Sequence, residues 1–180
     1  MKKISLDNIF RIFIWLFFLI GGAIVSIHFD KIYFYDWFNS TTFHVISLLT
    51  GYLLLKQILK ASRNTGRYLA AMGRQGNIPR LQTNRLVTSG RYACMRHPMH
   101  FGLLFFPLAF ALLLGSPTFI LILAPLEMLL MILMIKWIEE PQAEKKFGKA
   151  YKVYKKEVPF FNFKMSCLKN LLNEENNVQK

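Results

Sequence analysis

The chain has 180 residues, a formal net charge of +13, 53% apolar residues and only 10 acidic ones. The apolar residues stand in long blocks without the period of an amphipathic surface helix, which marks membrane spans rather than a soluble core. A basic excess on such a chain belongs to cytoplasmic loops and anionic headgroups. No Arg/Lys–aromatic interleaving or zinc-finger spacing points to RNA or DNA, so no nucleic-acid partner is expected.

Lys2, Lys3 and Arg11 precede the first apolar run, with no small-residue cleavage site after it, so the run reads as a retained anchor rather than a removed signal. Four spans are predicted, roughly Ile9 to Ile27, Phe43 to Leu59, Phe101 to Gly115 and Thr118 to Ile138. A span needs ~20 apolar residues, so the third is short. Gly115-Ser116-Pro117 makes a tight turn that folds the last two spans into a helical hairpin. The fold class is therefore all-α: a bundle of about four transmembrane helices.

The segment between the second and third spans holds Arg63, Arg67, Arg74, Arg80, Arg85, Arg91 and Arg96, and the tail after the fourth is lysine-rich. Positive-inside logic places both termini and this face in the cytoplasm, in a setting expected to be a bacterial inner membrane. "LKASRNTGRYLAAMGRQG" continues the second span as a helix, and "GNIPRLQTNRLVTSG" reads as irregular chain. After the fourth span, Pro141 suits the first turn of a new amphipathic helix with Ala143, Phe147, Tyr151 and Tyr154 on one face. Residues 1–163 form the membrane domain, and 164–180 a polar, flexible tail. Cys94 and Cys167 both fall on the cytoplasmic side, so free thiols are expected, with Cys94 a buried bystander rather than a nucleophile. Glu127, near the middle of the fourth span, reads equally as a functional carboxyl or as one bonded to a neighbouring helix. The oligomeric state is not readable.

Two polar clusters flank the hairpin. Arg96, His97, Pro98, His100 and Gly102 stand just before it, and Glu139-Glu140 just after. The turn makes its helices antiparallel neighbours, so both clusters reach one membrane face. Paired carboxylates suit an ammonium or a ribose diol; Arg and His suit a carboxylate or phosphate. An amino acid joined to a nucleoside satisfies both, as in S-adenosyl-L-methionine. The apolar mouth would admit a lipid-like methyl acceptor. His97 and His100 are three apart, but no further His or Cys has ligand spacing and Pro98 disturbs the helix, so no metal is expected. Among the arginines, only Arg96, with Arg91 beside it, is placed in the site.

"LVTSGRYACMRHPMHFG" (86–102) followed by "EEPQAEKKFGKAYKVYKKEVPFF" (139–161) resembles the isoprenylcysteine carboxyl methyltransferase and phospholipid methyltransferase family of integral membrane enzymes. The matching residues run in order from Leu86 through Gly90, Tyr92, Arg96-His97-Pro98 and Gly102 to Glu139-Glu140, Phe147-Gly148, Tyr151, Tyr154 and Val158-Pro159. The resemblance implies a methyltransferase that binds S-adenosyl-L-methionine through His97, Pro98, His100, Gly102, Glu139 and Glu140, with Arg96 orienting an acceptor carboxylate. His100 stands where the family usually has Tyr, and Pro141 is expected to bias Glu140 away from helical geometry. Two other classes compete. One is an NADPH-dependent membrane reductase of the steroid-reductase type, which commonly has an acidic residue after the motif glycine, where this chain has Leu103. The other is a non-enzymatic membrane scaffold.

Overall fold

The computed structural model describes residues 6–78 and 82–173; the basic start at Lys2 and Lys3, Arg80, and the end of the tail at 174–180 lie outside the described residues. The described residues are helical, with no strand. Among the described residues, three helices are long and apolar enough to cross a membrane: Phe13–Tyr33, Thr41–Met72 and Phe119–Phe147. The fourth candidate, Pro98–Leu114, is shorter. The chain divides into two compact units, one of residues 6–58 and 104–133, the other of 59–103 and 134–173.

The first unit contains α1 (Leu6–Tyr33), the short α2 (Tyr35–Phe38), the first part of α3 (Thr41–Met72), and α6 (Phe106–Leu114). It also holds the beginning of the last long helix, whose first turns are π-helical over Phe119–Leu123 before α7 (Ala124–Met134). Leu19, Ala111, Phe119 and Ala124 form its core. Small residues set the helix contacts: a Cβ on Gly51 would come within 2.9 Å of the Leu113 backbone nitrogen. Ser47 donates to the Leu112 carbonyl at 2.7 Å. Close backbones and interhelical hydrogen bonds are what bind helices in lipid, where apolar burial offers no preference. The outward residues Phe13, Phe17, Ile24, Leu49, Leu121 and Leu129 are exposed and apolar, as a lipid-facing surface requires.

The expected turn at 115–117 is present. Gly115 takes the left-handed conformation at φ 65° that closes α6, and a Cβ there would run into the His44 ring. The next helix is capped from a distance. Asp30, fully buried on α1, accepts from the Ser116 hydroxyl and from the Thr118 backbone N–H at 2.7 Å. Ser116 Oγ in turn accepts from the Phe119 N–H at 3.2 Å. Glu127 is buried against α1, its Oε1 close to the space a Cβ on Gly22 would take, and its Oε2 has no hydrogen-bond partner among the described residues.

The second unit contains the end of α3, which runs on through Met72 as expected, and irregular chain over 73–78 and 82–90. Then come α4 (Arg91–Cys94), α5 (Pro98–Leu104), a π-helical turn over Ile135–Glu139, α8 (Glu140–Phe147), α9 (Lys149–Glu157) and α10 (Met165–Leu172). Several expectations need correction here. Glu140 is helical, at φ −61° and ψ −46°: the wide π turn bonds the Glu140 N–H to the Ile135 carbonyl, and Pro141 enters the first turn of α8, where a missing donor costs little. The single amphipathic helix after Pro141 is two helices, parted by Gly148 at φ 57°.

The tail expected to be flexible from 164 begins instead with α10, which buries Cys167 and Leu171. The two cysteines are not free thiols. Cys94 and Cys167, 73 residues apart in sequence, are joined in a disulfide with Cα atoms 5.7 Å apart. Arg91 serves α10 rather than the site: its Nε and Nη2 donate to the Asn170 and Asn173 carbonyls, groups a helix end otherwise leaves unpaired.

Replacing Asp30 with Ala should leave the Ser116 hydroxyl and the Thr118 N–H buried without an acceptor, at roughly 1–3 kcal/mol. Thermal unfolding in detergent should show Asp30→Ala clearly destabilised and Asp30→Asn, which keeps an acceptor, less so.

Candidate active site

The opening of the site is set by backbone geometry. Met95 is extended, at φ −154° and ψ 152°, and breaks the chain between α4 and α5. Pro98 then starts α5, a position where its fixed φ is favourable. Arg96 and His97 are held in the gap between them, with the Arg96 N–H bonded to the Pro159 carbonyl at 2.9 Å.

Arg96 and Glu140 meet as the two sequence clusters led one to expect. Nε and Nη2 of Arg96 lie 2.8 and 2.7 Å from Glu140 Oε1. Its Nη1 donates to the Lys155 and Val158 carbonyls, at 2.9 and 2.8 Å. Glu140 Oε2 takes Lys155 Nζ at 3.0 Å. His97 Nε2 is 3.3 Å from Glu140 Oε1, and the ring packs on Phe160 with centroids 4.9 Å apart. Burial, reinforced by the neighbouring His100, lowers the His97 pKa to about 4 against the pull of Glu140, so at neutral pH the contact is a hydrogen bond rather than an ion pair.

Glu139 points elsewhere. Its Oε2 lies 3.1 Å from His100 Nε2, both side chains about one-fifth exposed. Arg96, His97, His100 and Glu139 line one cleft, with a cavity volume of about 180 Å³. Pro98, Gly102 and Glu140 do not line it. Gly102 seats α5 on α3, where a Cβ would come within 3.0 Å of Ser62 Oγ. Glu140 lies behind the wall and holds it in place.

Reasoning from sequence placed no tyrosine in the site, yet Tyr92, Tyr151 and Tyr154 all line the cleft. Tyr154 donates to the Tyr92 carbonyl at 2.6 Å. The Tyr151 hydroxyl is buried with no hydrogen-bond partner among the described residues. Burial, with Glu140 adding to it, pushes its pKa up to about 12, so it is a neutral donor. The signal lay in the Tyr151/Tyr154 spacing, which periodicity alone assigns to a packed face.

The family model for phospholipid methyltransferase matches residues 39–150. The chain belongs to the phospholipid methyltransferase family. As a member it is a membrane methyltransferase, in keeping with its three long apolar helices. No curated protein and no solved structure matches the chain. The family match includes Arg96, His97, His100, Glu139 and Glu140 and stops short of Tyr151, Tyr154, Lys155 and Phe160. This methyltransferase therefore completes its cleft with residues beyond the matched region.

His97 makes stability depend on pH. Its pKa falls from 6.5 unfolded to about 4 folded. The unfolded chain binds the extra proton between those values, so stability is full above pH ~6.5 and is lost as pH falls towards 4. The shift is worth about 3 kcal/mol at most. Thermal unfolding from pH 7.5 to 4.5 should show this loss in the native chain and a shallower one in His97→Gln.

Proposed function

We propose that the chain is an S-adenosyl-L-methionine-dependent methyltransferase acting on a hydrophobic or membrane-associated acceptor, similar to the isoprenylcysteine carboxyl methyltransferases. The observation that carries this reading is the unpartnered Tyr151 hydroxyl, buried in a cleft that also presents the Glu139 carboxylate and the His97 imidazole. A buried donor without a partner costs roughly 1–3 kcal/mol, which a polar ligand in the cleft would recover. The donor set suits an amino acid joined to a nucleoside: a carboxylate for an ammonium or diol, neutral donors for a carboxylate, and apolar Leu86, Val87 and Met99 for a ring.

When bound, the cofactor supplies a methyl group on an electrophilic sulfonium. The chain's part is positioning and placement of charge. Glu139 and His100 make the outer polar edge, and Tyr151 and His97 donate or accept within. Pro98 and Gly102 fix α5 so that His97 and His100 face the cleft. Arg96, immobilised by Glu140, keeps a positive charge on the wall suited to orienting an acceptor carboxylate. The cleft volume is below the roughly 300–1,000 Å³ of ligand pockets, so lining side chains turn outward as the cofactor enters.

Calorimetry in detergent tests this. S-adenosyl-L-methionine and S-adenosylhomocysteine should bind, and NADPH should not; the reverse result rejects the reading. Glu139→Gln should weaken cofactor binding roughly tenfold to hundredfold, the worth of a charged hydrogen bond. Tyr151→Phe should weaken it by a few-fold to about tenfold while leaving the ligand-free protein no less stable, since the hydroxyl bonds to nothing there. Lys156→Gln, an exposed change on α9, serves as the control.

We place the cleft and both termini in the cytoplasm. The Cys94–Cys167 disulfide pulls the other way, because cytosolic thiols are kept reduced. Charge asymmetry is the more direct determinant of insertion. Reporter fusions after Lys164 should report the cytoplasm and a fusion at Ser116 the opposite side; the inverse pattern moves the cleft to the oxidising face.

A further inference from the structure

We propose that His97, His100 and Glu139 form a three-ligand site for a borderline divalent transition cation of the Zn²⁺ class. This goes beyond the cofactor reading and does not rest on it, although it draws on three of the same side chains, so a bound ion and the cofactor would compete for them. Each of the three residues offers one ligand atom, and these atoms lie within 4.8 Å of one another. Bonds of about 2.1 Å to a tetrahedral ion set ligand atoms about 3.4 Å apart. His100 Nε2 and Glu139 Oε2 already stand at 3.1 Å, and small side-chain rotations close the widest gap.

The third ligand is the one that sequence spacing could not supply. His97 and His100 bracket the first turn of α5, their rings edge to face with centroids 5.8 Å apart. Glu139 arrives from the π-helical turn, 39 positions beyond His100. Pro98, expected to spoil the geometry, begins the helix instead and leaves both imidazoles at one end of it.

Donor chemistry selects the ion. Two nitrogens and one carboxylate suit Zn²⁺ and its neighbours, whereas Mg²⁺ and Ca²⁺ take oxygen ligands. Three protein ligands with a further position open is the arrangement of catalytic rather than structural zinc. Support from behind is in place as well. Glu140 holds His97 Nε2, which leaves the Nδ1 lone pair for an ion, and an outer carboxylate of this kind orients a ligating imidazole. Of the neighbouring cations, Arg96 and Lys155 are paired to Glu140, which moderates their repulsion of a bound ion, and Arg85 also lines the cleft. All three ligands line the cleft, so an ion there is accessible. The site depends on the imidazole at position 100, where the resembled motif has a tyrosine.

The test uses the full chain in detergent, dialysed against a chelator and without cofactor. Calorimetry should give one Zn²⁺ per chain and no heat with Mg²⁺. Co²⁺ should give the visible absorption of a low-coordinate nitrogen–oxygen site. His100→Tyr and Glu139→Gln should each abolish the Co²⁺ band and weaken Zn²⁺ at least tenfold, and His28→Gln, which alters an exposed imidazole on α1, should change neither. Substoichiometric Zn²⁺ in the native chain, or Zn²⁺ and Co²⁺ binding that survives His100→Tyr, overturns the proposal. Because no cofactor is present, either result stands apart from the outcome of the S-adenosyl-L-methionine titration.

Discussion

The cleft depends on one buried carboxylate. Glu140 is 3% exposed and takes charged or polar donors from three side chains: Arg96 and His97 ahead of α5, and Lys155 on α9. Removing a carboxylate from water costs several kcal/mol, and only a set of well-aligned charged bonds offsets that. The arrangement is thus a poor source of net stability and a strong source of geometry. It ties together segments 44 and 59 residues from Arg96, and any displacement of one strands a buried charge. Arg96 is suited to the centre of such a knot, because its planar fork reaches a carboxylate and two carbonyls at once.

The neighbouring carboxylate gains its independence from the same local geometry. Consecutive residues on a helix point about 100° apart, so a Glu-Glu pair cannot aim at one target. Glu140 turns inward to Arg96 and Glu139 to the cleft and His100. The π turn immediately before them resets the register and admits Pro141 without breaking the helix. A pair that looks redundant in sequence therefore divides into an inner anchor and an outer carboxylate that faces the cleft. Both remain negative features of one site, but replacing them would disturb different things.

Hydropathy and turn chemistry made much of this legible. The long helices, the Gly115 turn and the continuation of α3 to Met72 follow from apolar length, a left-handed glycine and a good helix-forming run. The meeting of Arg96 with Glu140 followed from the hairpin and its ordered motifs. What stayed hidden depends on contacts between distant segments. Nothing local pairs Cys94 with Cys167, or shows that the polar-looking tail contains a helix whose Cys167 and Leu171 are buried. Tyr151 reads as one more aromatic on an amphipathic face until its hydroxyl is seen without a partner. Local rules misjudged Pro141 because the preceding turn is wide rather than α-helical.

The region after the family match explains why Arg96 sits where it does. Its backbone N–H is fixed by Pro159, its Nη1 by the carbonyls of Lys155 and Val158, and its guanidinium lies 5.6 Å over the Phe160 ring. The Glu140 bonds, by contrast, come from within residues 39–150. The motif arginine is thus clamped between a carboxylate inside the matched region and a strap that follows it. That strap also carries Tyr151 and Tyr154 into the cleft wall and Phe160 onto His97. A site built this way has its charge pattern set by the shared motif. Its wall is completed by the aromatic residues that follow.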